Sequence, residues 1–150
     1  MDEWLKRIED KNYLKYDNLV PESPKVLSVL RNKADLILVT LRNSRKNLFW
    51  ELDRLGLNNY FSQVLVGSPV KLKNKTKLIK DYIENNMGET KFIIIGDTEV
   101  DIFTGKELGM LTIAVTYGIR SREFLENLKP DFYLDKLSVL PEILEIGGEE

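Results

Sequence analysis

Two aspartates four residues apart, Asp97 and Asp101, follow directly on the run Phe92-Ile93-Ile94-Ile95-Gly96. Three of its four apolar residues are β-branched, so the run reads as a buried strand ending on glycine. A helix starting near Thr98 then puts both carboxylates at its mouth, beyond the carboxyl end of the strand. In open α/β sheets that crevice is where ligands bind. Two hard oxygen ligands there suit Mg²⁺, which takes one or two carboxylates and fills its other positions with water and substrate phosphate. The same spacing has a purely structural reading. Asp97 would cap the helix, and Asp101 would sit in a solvated first turn favoured by the helix dipole.

Composition narrows the chemistry available. The 150 residues make one domain of ordinary size, with 43% hydrophobic and 31% charged residues. Lysine and arginine number 22 against 24 acids, a balance that gives no support for nucleic-acid binding. There is no cysteine, which excludes disulfides, thiolate metal sites and cysteine nucleophiles. There is no histidine, which removes the usual general base and the serine–histidine triads. Catalysis must rest on Asp, Glu, Lys, Arg, Ser, Thr or Tyr. The start, Met1-Asp2-Glu3-Trp4-Leu5-Lys6, has no signal-peptide pattern, and no apolar run approaches the roughly 20 residues that span a bilayer. No membrane contact is expected, and the default location is the cytoplasm.

The elements that would position these acids alternate between two hydrophobic periods, the mark of an α/β layer architecture. Residues 2–10 read as a short helix, and Ser23-Pro24 opens another through Leu27 and Leu30. Strands are expected at 35–40, 63–66, 92–95, 111–115 and 132–134. Helices are expected at 43–55, with Gly56 as its C′ glycine, at 76–86, from Thr98 to Gly109, and through Leu137, Leu140 and Leu144. Trp4, Trp50 and Tyr60 read as core or semi-buried packing.

A longer string carries a resemblance. Gly96-Asp97-Thr98-Glu99-Val100-Asp101-Ile102, then Gly105-Lys106-Glu107-Leu108-Gly109-Met110, then Ile113-Ala114-Val115-Thr116-Tyr117-Gly118 resembles the fourth motif of the haloacid dehalogenase superfamily, largely magnesium-dependent aspartyl phosphatases. The resemblance continues through Pro130-Asp131-Phe132-Tyr133-Leu134. It implies a doubly wound, mainly parallel Rossmann-like sheet with helices on both faces, and Mg²⁺ held by Asp97 and Asp101. Leu36-Ile37-Leu38-Val39-Thr40 looks like the second motif, in which the Thr40 hydroxyl meets a phosphate. A strand-end hydroxyl just before a helix N-terminus is a natural anion contact, although β-branched Thr also simply favours strands. Arg42 reads as a solvated arginine within reach of a substrate anion. The third motif is a phosphate-binding lysine, and Lys71, Lys73, Lys75 and Lys77 are all candidates. Lys71 matches one spacing of the motif, and Lys75 matches the version that opens the helix and is preferred.

The first motif of that superfamily, an Asp-x-Asp pair after a central first strand, does not occur in these residues. Residues 1–20 instead resemble the last helix of the mobile cap, residues 21–146 the α/β core, and residues 147–150 a frayed tail. The resemblance implies that the central first strand lies outside these residues, so the strands ending at Thr40 and Asp97 would each lack a neighbour, at about 1–3 kcal/mol per unsatisfied backbone group. A longer N-terminus or a second chain completing the sheet, or direct pairing of the two strands, would close the gap.

The resemblance implies a Mg²⁺-dependent phosphatase-like hydrolase acting on a small phosphorylated substrate through an aspartyl-phosphate, its nucleophile on a segment outside these residues and this chain alone nearly inactive. The alternative is a catalytically inactive relative that binds a phosphorylated ligand or a protein partner. A receiver-type signalling domain fits less well, because its central strand ends in aspartate where this one ends in Thr40. Nucleotide-binding motifs, Gly-x-Gly-x-x-Gly or a phosphate loop ending in Gly-Lys-Ser/Thr, do not occur.

Overall fold

The structure, a computed structural model, describes residues 7, 9–72, 75–85 and 91–148. Most of the helix expected over 2–10, Trp4, Lys73 and the tail residues 149–150 lie outside the described residues. The chain divides into two compact units, residues 1–73 and 74–150.

The first unit carries α1 (Lys11–Leu14), α2 (Ser23–Arg31), β1 (Ile37–Leu41), α3 (Arg45–Arg54) and β2 (Gln63–Gly67). Its two strands pair in parallel, with Thr40 opposite Val66. Pro24 stands in the first turn of α2, where a missing N–H costs nothing. Val26 and Leu30 on that helix and Leu48 and Leu52 on α3 are buried, the i, i+4 stripe that a core-facing helix requires. Gly56 ends α3 with a φ of 69°, a conformation in which a Cβ is strained. Trp50 is half-buried, with Lys11 and Arg54 over its ring at 5.5 and 5.8 Å. Tyr60 is half-buried under Arg31.

The second unit carries α4 (Thr76–Asn85), β3 (Ile93–Gly96), α5 (Glu99–Glu107), β4 (Leu111–Val115), α6 (Arg122–Asn127), β5 (Phe132–Leu134), a 3₁₀ turn (Leu137–Val139) and α7 (Leu140–Gly148). The strands form one parallel sheet in the order β3-β4-β5. Ile102 on α5, Ala114 on β4 and Leu125 on α6 are fully buried and pack together with Leu128 and Tyr133. Asp131 ties the ends of β4 and β5 by accepting from the Thr112 N–H at 2.8 Å and its hydroxyl at 3.0 Å.

The expected α/β architecture and parallel pairing are present, and the strands and the helices expected from Ser23 to Gly109 lie within two residues of expectation; the last helix begins at Leu140, after a 3₁₀ turn over Leu137–Val139, and α1 was not anticipated. The strands are hydrogen-bonded as two sheets rather than one. Among the described residues, β1 has β2 as its strand neighbour and β3 has β4. The expectation of a fully buried β3 needs correction. Ile94 is buried, but Ile95, on the opposite face, is 39% exposed; among the described residues β3 has a strand, β4, along one edge. α6 was not anticipated. Its signal was Ser121, whose side chain accepts from the Phe124 N–H, followed by Leu125 and Leu128 on one face. Among the described residues, no helix is long and apolar enough to cross a membrane.

Gly105 of α5 lies against Ile94 and Thr112, and a Cβ there would collide with the Cγ2 methyls of both. Gly105→Ala should therefore push the helix off β3 and β4 and cost about 1–3 kcal/mol, read as a lower midpoint in urea. An unchanged midpoint would show that α5 has slack at this crossing.

Candidate functional site

In the second unit the site forms where β3 hands over to α5. The strand ends at Gly96, Asp97 follows, and Thr98 caps the helix in extended conformation. Asp101, at the third helical position, turns back and accepts from the Thr98 N–H at 3.4 Å and its hydroxyl at 3.3 Å. This is the carboxylate half of a capping box. The other oxygen of Asp101 accepts from Lys75 Nζ at 2.7 Å. Asp101 is only 4% exposed, so the expectation of a solvated first-turn acid does not hold. A buried carboxylate needs such a partner, because its charge has left water.

Two glycines make room for the acids. A Cβ on Gly96 would collide with the carboxyl carbon and Oδ2 of Asp101. A Cβ on Gly118, in the loop after β4, would collide with Cβ and Oδ2 of Asp97. The next residue in that loop, Ile119, donates its backbone N–H to Asp97 Oδ2 at 3.3 Å. Arg120 then makes a two-pronged ion pair with Glu99 on the first turn of α5, both contacts at 2.8 Å. That guanidinium holds the Glu99 carboxyl below its ordinary range.

The structure brings Asp97, Asp101 and Lys75 to one strand end. Lys71 stands exposed in the turn after β2, its N–H on the Ser68 carbonyl at 3.2 Å. Thr40 is half-buried near the end of β1. Among the described residues, no group of three or more acids, histidines or cysteines gathers as a metal cage.

Around the end of β1 the first unit holds a second polar cluster. Arg42 is not the solvated arginine expected: its Nη2 lies 2.9 Å from the carboxylate of Glu51, whose side chain is 7% exposed. Burial and a hydrogen bond with Asp17 push the Glu51 carboxyl up, against the pull of Arg42. Glu9, 7% exposed, accepts from the backbone N–H groups of Asn43 and Ser44 at 2.8 Å each. It thereby satisfies donors at the entry to α3. Sequence reasoning missed Glu9, Glu99, Gly118 and Arg120. A glycine three residues beyond a strand's end was the one local signal among them.

With this geometry in view, comparisons with known proteins are informative. The model of the haloacid dehalogenase-like hydrolase family matches residues 1–115. A phosphoglycolate phosphatase of Synechococcus elongatus is 29% identical over 122 residues, covering 81% of this chain and 57% of that protein. The pyrophosphatase PpaX of Bacillus mycoides is 27% identical over 143 residues, covering 91% of this chain and 66% of that one. The chain thus spans less than two thirds of the length of either relative. Among solved structures, a haloacid dehalogenase-like family hydrolase from Streptococcus pneumoniae superposes with a TM-score of 0.72 over 84% of this chain and 60% of its own, at 24% identity. YfnB from Bacillus subtilis, solved with magnesium bound, superposes with a TM-score of 0.67 over 84% of this chain and 56% of its own, at 23% identity. At these identities the superpositions speak for the fold.

Proposed function

The chain belongs to the haloacid dehalogenase-like hydrolase family, and from that premise we propose that it is the metal- and phosphate-binding core of a Mg²⁺-dependent phosphatase. The observation that carries the proposal is the part-buried Lys75–Asp101 pair at 2.7 Å, with Asp101 on the helix that follows Asp97 at a strand end. A lysine and two carboxylates there answer both charges of a metal–phosphate pair.

Asp97 and Asp101 are the metal ligands in this reading. The donor set fits: both are hard oxygen ligands, and Gly96 and Gly118 leave their carboxyl groups the space a Cβ would fill. When bound, Mg²⁺ supplies positive charge that offsets the developing charge on the phosphoryl oxygens. Lys75 binds a phosphate oxygen while it neutralises Asp101, with Lys71 as the alternative lysine. The Thr40 hydroxyl donates to another phosphate oxygen. The substrate is a small phosphomonoester. The nucleophile is an aspartate supplied from outside these 150 residues, by a preceding segment or a second chain. Its carboxylate attacks phosphorus, the alcohol leaves, and water hydrolyses the aspartyl-phosphate to inorganic phosphate.

A second reading is a module that binds a phosphorylated ligand or a protein partner without turnover, and no Asp-x-Asp pair occurs within these 150 residues. The phosphatase reading requires the metal site. Calorimetric titration of the 150-residue chain with MgCl₂ should show saturable binding that Asp97→Asn weakens at least ~10-fold. Equal binding by the variant would overturn the assignment. In the same samples p-nitrophenyl phosphate should turn over negligibly. Vigorous Mg²⁺-dependent turnover would overturn the placement of the nucleophile elsewhere.

A further inference from the structure

The loop between β4 and α6 carries an arrangement that the proposed reaction leaves without a role. Ile119 donates its N–H to Asp97 at 3.3 Å, near the long limit of a hydrogen bond, so small loop movements decide whether it forms. Nothing in the residue itself holds it there, since the Ile119 side chain is 78% exposed. Its neighbours do. Gly118 packs on Asp97 where any Cβ would collide. Arg120 grips Glu99 with Nε and Nη2, both at 2.8 Å, and its guanidinium lies 5.6 Å from the Phe124 ring centroid on α6. Glu99 is the first residue of α5, two positions before Asp101. The ion pair therefore spans from the helix that bears one carboxylate to the loop that orients the other.

We propose that Glu99 and Arg120 form a latch that positions the Ile119 N–H on Asp97, and so fixes the orientation of a metal-binding carboxylate. They are positioning residues, and the inference rests on the reading of Asp97 as a Mg²⁺ ligand. Groups that orient ligands in this way are commonly worth 10–100-fold in metal affinity. With side chains 43% and 29% exposed, this pair belongs at the low end of that range. The two halves of the latch are not equivalent. Arg120→Gln frees the loop and removes a positive charge near the metal. Glu99→Gln frees the loop and leaves that charge uncompensated beside Asp97, so it should weaken Mg²⁺ more.

The test uses the ¹⁵N-labelled 150-residue chain with MgCl₂ as the only ligand. Exchange of the Ile119 amide and the Mg²⁺ dissociation constant are read by NMR in Glu99→Gln, Arg120→Gln and the exchanged pair Glu99→Arg/Arg120→Glu. Lys80→Gln, on an exposed part of α4, controls for net charge. Both single variants should speed Ile119 exchange and weaken Mg²⁺ about 3–10-fold, Glu99→Gln the more, with the exchanged pair recovering most of the loss. Unchanged Ile119 exchange in both single variants would overturn the latch. Faster exchange with unchanged Mg²⁺ affinity would overturn its link to the metal. Wild-type protein that binds no Mg²⁺ would overturn the metal reading, while Ile119 exchange would still report on the latch.

Discussion

Alanine at Gly96 is expected to remove Mg²⁺ binding from a chain that still folds. The added Cβ would strike the carboxyl carbon, Oδ2 and Cβ of Asp101 together. A collision with the far end of a side chain is relieved by a rotamer change, but one that includes Cβ is not. Asp101 is 4% exposed and pinned by Lys75 and Thr98, so it has no alternative position within its own pocket. Either the first turn of α5 lifts away from β3, or the Lys75 pair breaks. Both displace a ligand by a sizeable fraction of an ångström, more than a metal site tolerates, and affinity should fall by at least ~100-fold. Stability should fall by about 1–3 kcal/mol for the overpacking. Calorimetric titration and urea unfolding read the two effects separately. Gly109→Ala is the control: its φ of 68° makes alanine strained, yet nothing lies within 4 Å of the added atom. It should cost about 1 kcal/mol and leave Mg²⁺ affinity unchanged. Wild-type affinity in Gly96→Ala would show that Asp101 does not hold the metal.

The second large effect is expected at Lys75, with a sign that separates metal from phosphate. Lys75→Met keeps the stem and removes the charge, leaving Asp101 buried without its partner. Breaking a buried ion pair typically costs 3–5 kcal/mol, and the 21% exposure of the Lys75 side chain moves the expectation down to about 2–3 kcal/mol. Mg²⁺ competes with Lys75 for the same carboxylate, so the variant should bind Mg²⁺ several-fold more tightly and recover much of its stability at saturating metal. Binding of inorganic phosphate to the Mg²⁺-loaded chain should instead weaken by roughly tenfold or more. Lys71→Met should change none of these beyond about 0.5 kcal/mol, because that side chain is exposed. Weaker Mg²⁺ binding in Lys75→Met would mean that the lysine supports the metal rather than competing with it.

Strand and helix positions were legible because periodicity is a local property. The run 111–115 follows a stretch of helical spacing that ends at Gly109, and no other part of the chain was needed to place it. The same holds for Thr98 at the start of α5 and Gly56 at the end of α3, where single residues satisfy or relieve the backbone. Exposure of Ile95 was not legible. An apolar β-branched run reads as buried on both faces, whereas actual burial depends on what the rest of the chain packs against each face. Arg42 failed for a related reason, since Glu51 lies nine residues on and only the turn from β1 into α3 brings them together.

By itself the sequence determined the chemistry on offer. Without histidine and cysteine, a carboxylate pair at a strand end was the strongest candidate for a metal, and the spacing of Asp97 and Asp101 was enough to place both at one helix mouth. Tertiary structure decided which charges face which. Among Lys71, Lys73, Lys75 and Lys77 the sequence preferred Lys75 on motif spacing alone, with Lys71 as the alternative, and the packing of the second unit puts Lys75 on Asp101. It also brought Ile119 to Asp97 and Arg120 to Glu99 across about twenty residues of sequence. Local propensity records what a residue prefers over one or two turns of chain. Charge pairing and close glycine contacts depend on distances of a few ångströms between segments far apart in sequence, and those distances exist only once the strands have set the helices in place.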